Sequence, residues 1–191
     1  MGKINLLDFE IANLIAAGEV VERPSSVMKE LIENSIDSGA TEIIAEIKNG
    51  GVSLIRVSDN GCGMDKEDLP VAIKRHATSK IRTRDDLDGI TTLGFRGEAL
   101  AAISSVSEVT IITKTKESDS AAMLTSSGGK ILDISEVGAA DGTTVVVENL
   151  FYLTFRERLF PFDISNEGFN SCCQHLDLVV ITTQFHIGSP G

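Results

Sequence analysis

The sequence predicts an α+β fold, a two-layer sandwich of helices on a mixed, largely antiparallel sheet. Three observations carry that expectation. A helix-spaced segment after Pro24 runs directly into two strand-like segments split by Asn49-Gly50-Gly51. Four further strand-like segments follow residue 108, with Gly128-Gly129 and Asp141-Gly142 as turn signals between them. Hydrophobic residues make up 42% of the 191, enough for one core, and a domain of roughly 100–200 residues is the ordinary size.

Taken in order, Ser25 or Ser26 is a candidate helix cap, and Met28, Leu31, Ile32 and Ile36 form an apolar stripe at helical spacing. Gly39 is the expected stop. Ile43–Ile47 and Val52–Val57 read as a hairpin about the Asn-Gly-Gly turn. Asp59-Asn60-Gly61-Cys62-Gly63 is a glycine-rich loop at a strand end, and Asp65 is placed to cap a short helix to about Arg75. His76–Leu93 lacks a sustained period and reads as a long loop. Gly94-Phe95-Arg96-Gly97 opens a helix over Glu98–Ile103. The remaining strands are expected at Val109–Thr113, Ala122–Thr125, Ile131–Ile134 and Thr143–Val147.

Composition narrows the function. The net charge of -11 argues against general affinity for nucleic acid, which rests on Lys and Arg neutralising phosphates. The three cysteines include an adjacent pair, Cys172-Cys173, and no metal-type spacing, so neither a disulfide scaffold nor a structural zinc site is expected. No apolar run reaches the ~20 residues that cross a bilayer. Asp8 and Glu10 are foreign to a signal peptide, and Leu6 stands where N-myristoylation after Met1-Gly2 needs Ser or Thr. The expectation is a cytoplasmic protein with no membrane partner.

On a helix, Glu30, Glu33, Asn34 and Asp37 share the face opposite the apolar stripe. A solvated polar face is the plain reading. The chemical one is that Glu30 and Asn34, four apart and so ~5–6 Å from each other, serve one site: Asn34 gives an oxygen to Mg²⁺, which keeps several waters and shares itself with substrate phosphates, and Glu30 takes a proton from an attacking water. Asp-Asn-Gly is an ordinary turn, yet the Asp59 carboxylate can also accept from the amino group of adenine while Gly61 and Gly63 admit a flat base. Gly94-Phe95-Arg96-Gly97 before a helix is either a simple turn or an anion site, since free N–H groups and the helix dipole favour phosphate there. Ser79-Lys80 could close over the same phosphates. The order of these pieces supplies metal and water, base, lid and phosphates in turn.

These segments resemble a known superfamily. Glu30-Leu31-Ile32-Glu33-Asn34-Ser35-Ile36-Asp37 resembles the first motif of the GHKL ATPases, the superfamily of gyrase, Hsp90, histidine kinases and MutL, and Asp59-Asn60-Gly61-Cys62-Gly63-Met64 resembles the second. Ile15-Ala16-Ala17-Gly18-Glu19-Val20-Val21-Glu22-Arg23-Pro24, His76-Ala77-Thr78-Ser79-Lys80 and Gly94-Phe95-Arg96-Gly97-Glu98-Ala99-Leu100 are similar to MutL-type proteins in particular. The resemblance spans about Ile4 to Tyr152.

It implies a Bergerat-type ATP-binding fold over 1–152 with ATP and Mg²⁺ as cofactors. Glu30 would be the general base and Asn34 the Mg²⁺ ligand, with Asp37 on the same helix face. Asp59 would bind adenine, beside Gly61, Gly63 and Met64 and near Thr143. Thr78, Ser79 and Lys80 would belong to the ATP lid. Gly94, Phe95, Arg96, Gly97, Glu98, Ala99 and Leu100 would lie at the phosphates, mostly through backbone. Such proteins are slow ATPases in DNA mismatch repair. They form a homodimer on ATP binding, here with the segment before Gly18 in the contact. They relay mismatch recognition from a mismatch-recognition protein to a downstream repair nuclease or helicase, and would meet DNA weakly, through the full-length dimer.

The resemblance fades after Tyr152, where Leu153-Thr154-Phe155-Arg156-Glu157-Arg158 replaces an Asn-Thr-Pro-Ala-Arg type segment. Residues 153–191 read as an atypical tail in place of the start of a second α/β domain, which in the family supplies a lysine to the γ-phosphate. The expectation is a truncated or frame-shifted product with impaired turnover. Two alternatives stay open: a nucleotide-binding module or inactive fragment, and a histidine-kinase catalytic domain. The Gly-Phe-Arg-Gly-Glu-Ala-Leu segment disfavours the latter.

Overall fold

The computed structural model describes residues 21–78, 97–152 and 179–184. Helix α1 is Pro24–Asp37. Arg23, extended at φ -154 and ψ 159, is its N-cap, and no side chain caps it. The expected serine cap is displaced because Pro24 takes the first helical position, where its missing N–H costs nothing and its fixed φ suits the helix. Ser25 and Ser26 therefore fall inside the first turn. Gly39 ends the helix as expected, at φ +76, with its N–H donating to Ile36 O at 3.0 Å. The buried stripe is Pro24, Val27, Leu31 and Ser35. It lies about one residue round from the apolar stripe read in the sequence, so Ile36, expected inside, is 40% exposed.

Strand β1 (Glu42–Lys48) and strand β2 (Leu54–Asp59) form the expected hairpin, joined by a 3₁₀ turn at Asn49–Gly51. Helix α2 is only Leu69–Ala72. The helix expected from Asp65 is shortened because Pro70 is tolerated only in a first turn, and Asp68, not Asp65, is the N-cap. Helix α3 (Ala99–Val106) precedes strands β3 (Glu108–Lys114), β4 (Ala121–Ser127), β5 (Lys130–Val137) and β6 (Gly142–Glu148). The last strand, β7 (Val179–Gln184), comes from beyond Tyr152 and pairs with β1. The seven strands run in the order β5-β4-β3-β6-β2-β1-β7, and every described pairing is antiparallel.

Register turns the alternating strands into rows on one face. Ala45, Val57, Val145, Ile111 and Leu124 are successive cross-strand partners, and all five are buried. Two residues along each strand, Ile43, Asp59, Thr143, Thr113 and Ala122 form the next row on the same face. On the three central strands the helix-covered core therefore changes from hydrocarbon to the carboxylate of Asp59 and the hydroxyls of Thr143 and Thr113 within one row, and that polar row positions the candidate site. Lys66 donates to Glu136 at 2.6 Å across the surface, and that hydrogen bond, followed by the ammonium charge, holds the Glu136 carboxyl below the usual range.

Ile55 on β2 is fully buried. Ile55→Val should lower stability by about 0.5–1.5 kcal/mol, read from urea unfolding. An unchanged midpoint would mean that this part of the core is loosely packed. Among the described residues no helix is long and apolar enough to cross a membrane.

Candidate functional site

Asp59 closes β2, and its carboxylate is fixed from three directions. Ser35 Oγ donates to Oδ2 at 2.7 Å, while the N–H groups of Gly61 and Thr143 donate to Oδ1 at 2.9 and 3.3 Å. Ser35 is buried in the α1 stripe, so the helix itself orients the acid. Thr143 is its cross-strand neighbour, and β6 can approach so closely because Gly142, at φ +115, has no Cβ to strike the Asp59 carbonyl.

The following loop is pinned on every side. Asn60 Oδ1 accepts from the N–H groups of Thr41 and Glu42 at 2.8 and 2.9 Å. Cys62 N–H donates to Ser38 O at 3.0 Å, at the end of α1. Met64 N–H donates to Thr113 Oγ1 at 2.8 Å. Gly63, at φ +71, lies against the Lys114 backbone where any side chain would collide. A held carboxylate beside a glycine-lined backbone can accept from the amino group of a flat ring, and its donors leave it little freedom to turn away.

Helix α1 carries Glu30, Asn34 and Asp37. The Glu30 side chain is 29% exposed, with Lys29 Nζ 3.8 Å away. Lys29 sits closer to Glu33, at 2.9 Å, and that hydrogen bond holds its ammonium above the usual lysine range. Asn34 and Asp37 are half-buried. Helix α1 touches α3, so the helix bearing Glu30 and Asn34 neighbours the one opened by Gly97 and Glu98. Gly97, at φ +61, packs against the Ala77 backbone. Glu98 Oε1 lies 3.4 Å from His76 Nδ1, and Glu98 O accepts from Ala102 N–H at 2.9 Å. These contacts join the start of α3, with Ala99 and Leu100 in its first turn, to the segment that ends at Thr78. Ser79, Lys80, Gly94, Phe95 and Arg96 lie outside the described residues.

The structure adds Ser35 and Thr113, which the sequence reading passed over. A hydroxyl four residues beyond Leu31 on the buried stripe signals Ser35. Thr113 carries no such signal, because threonine is ordinary in strands. Among the described residues no group of three or more His, Cys, Asp or Glu could hold a metal ion. The single amide oxygen of Asn34 instead suits an ion held chiefly by phosphates and water. An apolar cavity of about 260 Å³, lined by Met28, Ile32, Ala45 and Ile55 among others, opens elsewhere beneath α1 and includes none of the candidate site residues.

Residues 22–136 match the family described as "Histidine kinase-, DNA gyrase B-, and HSP90-like ATPase". The chain is 50% identical over 166 residues to the DNA mismatch repair protein MutL of Geobacter sulfurreducens, covering 87% of this chain and 27% of that protein. It is 52% identical over 191 residues to the MutL of Caldanaerobacter subterraneus, covering 100% of this chain, tail included, and 31% of that protein. It thus spans about a third or less of these curated relatives. The Aquifex aeolicus MutL ATPase domain complexed with ADP superposes with a TM-score of 0.56 at 33% identity, covering 74% of this chain and 48% of that one. With more than half its length matched by the family model, and with the helix-covered antiparallel sheet shared with a solved MutL domain, the chain belongs to the histidine kinase-, DNA gyrase B- and HSP90-like ATPases and within them resembles MutL.

Proposed function

We propose that the chain is the ATP-binding, slowly hydrolysing domain of a MutL-like DNA mismatch repair protein. The observation that supports this best is the Asp59 carboxylate, held by Ser35, Gly61 and Thr143 next to the helix that bears Glu30 and Asn34. In this reading Asp59 accepts from the adenine amino group, Gly61, Gly63 and Met64 flank the base, and Thr143 lies beside it. The backbone of Gly97, Glu98, Ala99 and Leu100, opening α3, faces the phosphates, where free N–H groups favour anions. Gly94, Phe95 and Arg96 would extend that contact, and Thr78, Ser79 and Lys80 would close over it. Asp37 supports the same helix face.

Mg²⁺, held by Asn34, would supply charge neutralisation at the phosphates. Glu30 accepts a proton as water attacks the γ-phosphorus. The bond from that phosphorus to the β–γ bridging oxygen breaks, and ADP leaves with the electron pair. The wider role is part of the proposal: nucleotide-dependent homodimerisation, signalling between a mismatch-recognition protein and a downstream nuclease or helicase, weak DNA contact through the full-length dimer, and a cytoplasmic setting. Family resemblance to MutL supports these. The ATPase unit of this reading runs over 1–152, followed by the tail.

Phosphate release from ATP, followed with and without a Mg²⁺ chelator, tests the activity. Release that is slow, abolished by chelation and competed by ADP is expected. Release unaffected by chelation would overturn the assigned chemistry, and nucleotide binding without release would reduce the chain to a binding module.

A further inference from the structure

Thr113 is 1% exposed on β3, one strand beyond Thr143 in the polar row that ends the core. Its hydroxyl meets three groups. It accepts from Met64 N–H at 2.8 Å, approaches Thr143 Oγ1 to 3.1 Å and can donate to Gly142 O at 3.2 Å. A hydroxyl has one hydrogen and two lone pairs. Met64 occupies one lone pair, so the single hydrogen goes either to Gly142 O or to Thr143.

The choice has a chemical consequence. If Thr113 donates to Gly142 O, Thr143 must spend its own hydrogen on Thr113 and can offer a ligand only lone pairs. If Thr113 donates to Thr143, the Thr143 hydrogen is released for the ligand. Asp59, next in the row, is an acceptor when ionised. Adenine carries an amino donor beside an unprotonated ring nitrogen. Hypoxanthine, its inosine counterpart, carries a carbonyl beside a ring N–H. An acceptor next to a donor matches the first pattern and opposes the second.

We propose that Thr113 is a positioning residue for base recognition. It anchors the Met64 backbone and passes its hydrogen to Thr143, so that Thr143 donates to the ring nitrogen while Asp59 accepts from the amino group. The proposal rests on the ATP reading and adds to it the residue that sets the polarity of the base-reading pair.

The test is calorimetric titration of the full chain, in Mg²⁺, with a non-hydrolysable ATP analogue and its inosine counterpart. Wild type should prefer the adenine compound. One neutral hydrogen bond is worth about 0.5–1.5 kcal/mol, so Thr113→Val should narrow that preference roughly 2- to 10-fold. Thr113→Ser, which keeps the hydroxyl, should retain it. A purely structural role would weaken both compounds alike and leave their ratio fixed, and that result overturns the proposal. So does equal loss of the ratio in the serine variant, which keeps the hydroxyl and would tie the effect to packing at this position.

Should Thr113→Val fail to fold, Thr143→Val removes the hydrogen that Thr113 frees for the ligand, on a half-buried residue. It should narrow the preference similarly, and a full preference in that variant overturns the proposal. Adenine binding with an unmoved ratio defeats this inference alone, whereas binding of neither compound by the folded wild type defeats the ATP reading along with it.

Discussion

Glu30→Ala is expected to cut ATP turnover roughly 10²–10⁴-fold, the usual worth of a general base, while nucleotide affinity stays within a few-fold of wild type. The two effects separate because of where Glu30 stands. It is on the flank of α1, one turn before Asn34, with its side chain 29% exposed, and it takes no part in the contacts that hold Asp59 or the Gly61–Met64 loop. Removing it deletes the proton acceptor and leaves the base slot standing. Lys29 lies 3.8 Å away but is committed to Glu33 at 2.9 Å, so it remains charged in the variant and does not take over as a base. Single-turnover phosphate release together with equilibrium binding measures both quantities. Unchanged turnover would remove Glu30 from the mechanism, and lost binding would give it a structural role instead.

Asp59→Asn should act on the other quantity. The carboxylate accepts three hydrogen bonds from Ser35, Gly61 and Thr143. An amide has one oxygen and two N–H donors. In the variant either Ser35 or the pair of backbone N–H groups faces an NH₂, and so does any ligand amino group that approached the lost oxygen. Hydrogen bonds to charged groups are worth about 1.5–3 kcal/mol, so affinity for ATP should fall roughly 10- to 150-fold. The fold should survive, because the rows of Val57, Val145, Ile111 and Leu124 behind the polar row are untouched.

The sequence made most of the sheet legible for a simple reason. Strands such as Glu108–Lys114 and Gly142–Glu148 alternate inward and outward side chains, and period-two patterning is a local property. Glycine turns at Gly128-Gly129 and Gly50-Gly51 marked the reversals, and both pairs adopt positive φ. Three local readings shifted, each for a definable cause. Pro24 took the first helical position and left the cap to Arg23 instead of a serine, Pro70 shortened α2, and the core met α1 one residue round from its apolar stripe, leaving Ile36 outside. Val179–Gln184 is rich in β-branched residues and so strand-like, but nothing local says that it pairs with β1.

The candidate site divides along the same line. Glu30, Asn34, Asp59 and the glycines stood out as a pattern of residue types at short spacing. Ser35 and Thr113 did not, because their importance lies in register. Thr113 meets Thr143 only because β3 and β6 pair at that position, and Ser35 meets Asp59 only because α1 lies over the end of β2. A buried hydroxyl looks ordinary in sequence until its partner, 24 residues away for Ser35 and 49 for the Met64 contact of Thr113, is known.

The most direct test of the ATP site is calorimetric titration of the chain with a non-hydrolysable ATP analogue in Mg²⁺, with Asp59→Asn titrated alongside. Saturable binding by the wild type that is weakened at least tenfold in the variant is the expected result. A folded chain that binds no nucleotide, or an Asp59→Asn variant that binds as tightly as wild type, would contradict it.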